Sequence, residues 1–183
     1  MVMSSVGEGR FMSSPGAWMW GPYVEIVIKD PLAKYIIAKA EEEGVQVEEL
    51  LAKMVANELS DEERIGLYVE LHEKYLSEAE ALADKGDIAQ AGEKLWGAVC
   101  ALLDAIGEFR GWRHHSHRDY CDIIERLVAE LGEPELSKLF ASAERLHANY
   151  YHAFLHPESF KVHRDAVLEL IRRLREVLGY LGE

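Results

Sequence analysis

The sequence predicts a mainly α-helical protein: an antiparallel bundle of five helices over residues 60–183, preceded by a short strand–helix–helix segment over residues 23–59. Three observations carry that prediction. From residue 60 onward apolar side chains recur at spacings of three and four, the stripe that a helix buries. Cap-like pairs stand ahead of three of those stripes, at Ser60/Glu63, Asp87/Gln90 and Ser116/Asp119. The breaks between stripes are short, and short connections make neighbouring helices antiparallel.

The elements follow in order. Residues 1–22 are rich in Gly, Ser and Met without periodicity and read as a flexible leader, although Trp18 and Trp20 are unusual for one. Val24, Ile26 and Ile28 alternate with Glu25, Val27 and Lys29, the pattern of a half-buried strand. Asp30 then offers a cap and Pro31 a first helical position. Leu32, Ile36, Ile37 and Ala40 share a face until Gly44 stops the helix, and Val47, Leu50, Leu51, Val55 and Leu59 make a second amphipathic helix.

In the bundle the first stripe is Ile65, Tyr68, His72, Tyr75, Ala79 and Leu82, ended by Lys85-Gly86. The second puts Ala91, Leu95, Ala98, Leu102 and Ile106 on one side. The third holds Ile124, Leu127, Val128 and Leu131, with Gly132 as its stop and Pro134 placed to start the next. The fourth runs Leu136, Leu139, Phe140, Ala143, Leu146, Tyr150 and Phe154 as far as His156-Pro157. Phe160, Ala166, Val167, Leu170, Leu174, Val177 and Leu178 line the last.

Composition narrows the class. Apolar residues make up 49% and charged residues 29%, as in an ordinary globular protein, and no apolar run approaches the roughly 20 residues of a membrane span. With no secretory signal legible, a cytoplasmic protein without membrane partners is expected. Asn57, Asn149, Gln46 and Gln90 are the only amides, against abundant Glu, Lys and Arg, a balance that suits a thermophile. Cys100 and Cys121 read as two buried free thiols, although intracellular disulfides do occur in hyperthermophiles. A net charge of -13 argues against broad nucleic-acid binding, which is driven by phosphate neutralisation, but leaves room for a small basic pocket.

One such pocket is suggested by FRGWRHHSHRDY, residues 109–120, where three arginines and three histidines gather without an acid between Arg110 and Arg118. Three readings compete. In the first, the helix start at Ser116 receives an anion, with Arg110, Arg113 and Arg118 supplying charge, His117 beside them, and Trp112 stacking on a base or sugar. In the second, the arginines are a belt neutralising nearby acids while His117 is a structural hydrogen-bonding residue and Trp112 covers the core. In the third, His114, His115 or His117 binds a metal with His152 and His156, but no carboxylate or cysteine stands in an obvious position as a further ligand. No metal and no cofactor is therefore expected. His72 and His147 read as core histidines, and convergence of His72, His147 and His117 would signal a polar pocket.

Two segments resemble known families. The string EAEALADKGDIAQAGEKLWGAVCALLDAIGEFRGWRHHSHRDYCDIIERL looks like the archaeal PaREP family, which pairs a KGD turn and a KLWGA helix with an RSH-like loop. That family is in turn similar to HEPN domains, and Gly86-Asp87, Ser116-His117 and Asn149-Tyr150-Tyr151 are the matching residues over roughly 60–181. The resemblance implies an HEPN-like bundle. It also implies a rival activity, because HEPN ribonucleases act without metal through an Arg-x4-6-His motif on the fourth helix at a dimer seam. Arg145 and His152 fit that spacing, and such chemistry needs an arginine on the phosphate and a histidine moving a proton near neutral pH. Leu146 departs from the small polar residue usual after the arginine, and Arg145 could instead pair with Glu144 or Glu135 while His152 faces solvent. Arg110 and His115 fit the letters of the motif but lie in the loop. The strand–helix–helix segment resembles a ribbon-helix-helix domain, implying a homodimer. Its outward Glu25 would oppose phosphate, so specific DNA binding is disfavoured and a dimerising remnant preferred. The leading functional expectation is a non-enzymatic module receiving a nucleotide, phosphate or RNA end at the basic loop; the alternatives are the endoribonuclease and a purely structural partner protein.

Overall fold

The computed structural model describes residues 26–56 and 58–179, and every regular element among them is an α-helix. In chain order these are α1 (Leu32–Glu43), α2 (Val47–Ala56), α3 (Asp61–Asp84), α4 (Ile88–Arg110), α5 (His117–Leu131), α6 (Glu135–His152) and α7 (Pro157–Val177). The expected leader with Trp18 and Trp20, and the strand residues Val24 and Glu25, lie outside the described residues. Ile26 to Lys29 form no strand, and Ile26 and Val27 stand 80% and 70% exposed. A strand needs a neighbour to take its backbone groups, and the described part of this chain offers none. None of the described helices is long and apolar enough to cross a membrane.

Local signals set most helix ends. Ser60 and Glu63 form a reciprocal capping box at α3, Asp87 accepts the Gln90 amide at α4, and Ser116 accepts that of Asp119 at α5. Gly44, Gly111 and Gly132 terminate α1, α4 and α5 in the left-handed conformation. At α1 the start differs from expectation. Pro31 occupies the cap position without a side-chain bond, and Asp30 pairs with Lys34 at 2.6 Å instead.

The core is organised around α4, which packs against α3, α5, α6 and α7. Sequence patterning gives this helix one apolar side, yet it is buried from Ala91 to Gly107 except at Lys94. The small residues explain the difference. Ala and Gly on the other faces let neighbours approach closely: a Cβ on Gly92 would meet the Leu146 carbonyl at 3.2 Å, and one on Gly107 would meet the His114 Cβ at 2.5 Å. Long apolar side chains are thus not needed all round for a helix to be central. The remaining stripes are shorter than their patterns suggest, with Leu131, Tyr150 and Phe154 exposed.

The pair α1–α2 has its own small cluster of Ile36, Ala40 and Leu50. Leu32, Ile37 and Val55, expected to be buried, are exposed. The inward face of α2 is instead Glu49, Leu50, Ala52 and Ala56.

Candidate functional site

The basic loop is made by the left-handed stop at Gly111 and the cap at Ser116, which leave four residues to cross from α4 to α5. The three histidines part company there. His114 turns inward and is 4% exposed, His115 stays at the surface, and His117 leans toward α6. Trp112 is half-buried against the core, with the Arg110 and Arg126 guanidinium groups 5.8 Å and 5.2 Å from its ring centre.

A groove of about 440 Å³ opens beside this tryptophan. Arg113, Ser116, Arg118 and Arg126 line it with Trp112, as do the carboxylates Asp119 and Asp122. Four of the six expected anion-binding residues are therefore together, and Arg126 joins them from two turns further along α5. Arg110 and His117 do not line it.

The charges in the groove are unevenly committed. Asp119 takes hydrogen bonds from the His115 amide at 3.2 Å and the Ser116 hydroxyl at 2.8 Å, so a carboxylate already serves the helix start. Burial raises its pKa, but Ser116, the His115 amide and Arg113 outweigh that and hold the carboxylate below its usual range. Arg113 reaches Asp119 only at 3.8 Å and is 87% exposed, whereas Arg110 pairs with Glu130 at 3.1 Å. The belt reading thus describes Arg110. Among the described residues no carboxylate lies within ion-pair distance of Arg118 or Arg126.

Beneath the loop lies a second cavity of about 670 Å³, between α2, α3, the end of α4 and the start of α5. Lys53, Arg64, Tyr68, His115, His117 and Tyr120 are on its walls. Next to it runs a connected polar network. Lys53 donates to Glu49 at 2.7 Å, and the Tyr120 hydroxyl donates to the same carboxylate at 3.3 Å. His114 bridges Asp104 at 3.3 Å and Glu108 at 2.8 Å, and Glu108 pairs with Arg64.

Burial pushes the Glu49 and Asp104 carboxyls up, with Lys53 opposing in both cases. Burial alone would lower the His114 imidazole, but hydrogen bonds and charge from Asp104 and Glu108 raise it. The Asp104 Oδ2 atom is buried without a hydrogen-bond partner among the described residues. The sequence reading missed this cluster. Its one local signal was a carboxylate inside the apolar run Leu102–Ile106 of α4.

The nuclease pair is placed elsewhere. Arg145 and His152 are both exposed on α6 and line neither cavity. Arg145 pairs with neither Glu144 nor Glu135; its guanidinium sits 5.0 Å from the Phe154 ring centre. Glu144 is bound to His117 and Glu135 to Lys138. His152 is the last residue of α6 and Ala153 is left-handed at φ 47°, so His152 and His156 do not share a helical turn as a metal pair would.

His72 and His147, expected as core histidines, are each held by a hydrogen bond to α4. His72 is fully buried, its Nδ1 2.8 Å from the Ala98 carbonyl, while Arg175 donates to Nε2. Burial, reinforced by the Arg175 charge, lowers its pKa to about 4. Of the three histidines whose convergence would mark a pocket, His117 and His147 each pack against Trp96, at 5.2 Å and 5.0 Å, and His72 does not join them. Cys100 and Cys121 are free, and Cys121 is only half-buried.

A protein-family model described as the archaeal PaREP1/PaREP8 family matches residues 67–171, which contain the loop and the groove. No curated protein and no solved structure matches the chain.

Proposed function

The chain belongs to the archaeal PaREP1/PaREP8 family, and on that premise we propose a non-enzymatic binding module that receives a phosphate-bearing ligand, a nucleotide or an RNA end, in the groove beside Trp112. One observation carries the reading. Arg118 and Arg126 line a concave site with Trp112, the Arg126 guanidinium 5.2 Å from its ring centre, and neither has a carboxylate partner among the described residues, in a chain whose net charge is -13. Guanidinium groups spend their charge on bidentate contacts with phosphate oxygens, and an indole face stacks on any base. Three arginines line the groove against two carboxylates, and Asp119 already serves the helix cap, so the local balance favours an incoming anion.

Finer features belong to the same proposal. The Gly86-Asp87 turn, the Ser116-His117 helix start and Asn149-Tyr150-Tyr151 at the end of α6 support an HEPN-like arrangement of α3–α7. The exposed apolar residues of the N-terminal pair support a ribbon-helix-helix-like dimerising segment within residues 23–59. The composition supports working at elevated temperature.

The test is calorimetric titration of the full chain with adenosine monophosphate and with a 5′-phosphorylated oligoribonucleotide at low salt. Saturable binding is expected, weakened about tenfold or more, roughly 1.4 kcal/mol, by Arg118→Ala with Arg126→Ala, and left unchanged by Arg145→Ala. No binding, or binding indifferent to the double variant, overturns the reading. Cleavage of the oligoribonucleotide that disappears in His152→Ala would establish the nuclease in its place.

A further inference from the structure

Beside the groove, on the face of α5 turned toward α6, three side chains of different chemistry converge. His117 and Cys121 are one helical turn apart on α5, and Glu144 reaches them from α6. One donor atom from each, an imidazole nitrogen, the thiol sulfur and a carboxylate oxygen, lies within 4.8 Å of both others. We propose that His117, Cys121 and Glu144 form a binding site for a borderline-soft divalent cation of the zinc class, which would fasten α5 to α6.

The geometry supports this on several counts. In a tetrahedral zinc site the ligand atoms stand about 3 to 4 Å apart, given metal–ligand bonds of about 2.0 to 2.3 Å. His117 Nε2 and Glu144 Oε1 are already 2.8 Å apart, so a small rotation of one side chain suffices to admit an ion. The His117 ring is held from behind by Trp96, whose ring centre is 5.2 Å away, which limits its rotation and keeps Nε2 turned toward Glu144. Cys121 is half-buried and unpaired, and Glu144 is partly exposed, so an ion has a route in. On binding, the Cys121 thiol gives its proton to solvent and the thiolate bonds the cation. Thiolate, imidazole and carboxylate together select zinc-like ions over magnesium or calcium, which prefer all-oxygen shells. Three protein ligands leave a fourth position for water.

The site shares no residue with the Trp112 groove, so its failure leaves the nucleotide reading untouched. The probe is cobalt(II), added to the full chain under a non-chelating reductant. Saturable one-to-one binding is expected, with the near-ultraviolet absorption of a thiolate–cobalt bond, reversed by zinc. Cys121→Ser is expected to abolish the absorption, and Glu144→Gln to weaken binding about tenfold. Because Glu144 is partly exposed, that variant folds even if the cysteine variant does not. Zinc is also expected to raise the melting temperature of the native chain, and to raise that of Glu144→Gln by less at the same zinc concentration. Absence of the thiolate absorption, its persistence in Cys121→Ser, or an affinity unaffected by Glu144→Gln overturns the proposal.

Discussion

The helices of α3–α7 and the pair α1–α2 are stabilised in different ways. In the larger region α4 is enclosed on every side, and fully buried side chains such as Leu102, Leu103, Ile124 and Leu146 form one continuous core. The pair has three buried residues of its own. Ala52 joins the larger core, and hydrogen bonds link the pair to it between Lys74 and Glu48, Lys94 and Gln46, Gln46 and Glu93, and Tyr120 and Glu49. Meanwhile Leu32, Tyr35, Ile37, Met54 and Val55 stay exposed. Apolar burial is the dominant favourable term in folding, so stability resides in α3–α7, while the pair keeps apolar surface available for association.

The largest effect that would sharpen this contrast comes from the same truncation made in both regions. Leu103→Ala removes a side chain with no exposed surface and is expected to cost about 2–5 kcal/mol. Leu50→Ala is expected to leave the global unfolding midpoint within about 0.5 kcal/mol and to speed amide exchange in α1–α2 alone. Urea denaturation with hydrogen exchange reads both. Equal global losses would show one cooperative unit and break the comparison.

Legibility in the sequence follows the same division between near and far. Caps and glycine stops were readable because a side chain bonds an amide three residues on, as at Ser60, Asp87 and Ser116. The apolar stripe of α3 was readable for the same reason, since Tyr68, His72, Tyr75 and Ala79 share a face by spacing alone. What α4 meets on its other faces was not, because its closest neighbours, Leu146 and the folded-in His114, lie in other segments of the chain. At the site, Trp112, Arg113, Ser116 and Arg118 were found as a local run, and Arg126 was missed because one needs the helix to bring it round. The network of Glu49, Lys53, Asp104 and His114 joins three elements, and Cys121 meets Glu144 only across two helices. In the N-terminal pair the amphipathic pattern was visible, but which apolar residues lie buried depends on partners that a periodicity does not name.

A second, somewhat smaller effect belongs to the larger region alone. His72 is packed between Ala98 and Arg175 in its neutral form, with a folded pKa of about 4 against 6.5 when free. Because the folded value is depressed, the unfolded chain takes up the proton first as the pH falls. Stability is therefore full above the free value and is lost on acidification toward about 4. Between about pH 7 and about pH 5 this group alone is expected to cost roughly 2 kcal/mol. Comparing urea midpoints at the two pH values in the native chain and in His72→Gln isolates it, since glutamine cannot charge. An equal acid loss in both proteins would place the effect elsewhere, for instance in His115 or His163, whose imidazoles burial also lowers.

The smallest effect on stability, and the sharpest on association, is expected at the pair's exposed face. Leu32 and Tyr35 are 57% and 73% exposed, one turn apart on a helix whose buried residues are Ile36 and Ala40. Charges there break no core contact, so Leu32→Glu with Tyr35→Glu should leave the melting transition within about 0.5 kcal/mol. If a second copy covers this face in solution, the same double variant converts a dimer to a monomer, because burying two carboxylates without partners is unfavourable. Light scattering across a range of protein concentrations decides it. A native chain that is already monomeric, or a variant that remains a dimer, would mean that a second copy does not cover this face. The contrast between an enclosed core and an open helix pair would then need another partner to explain it.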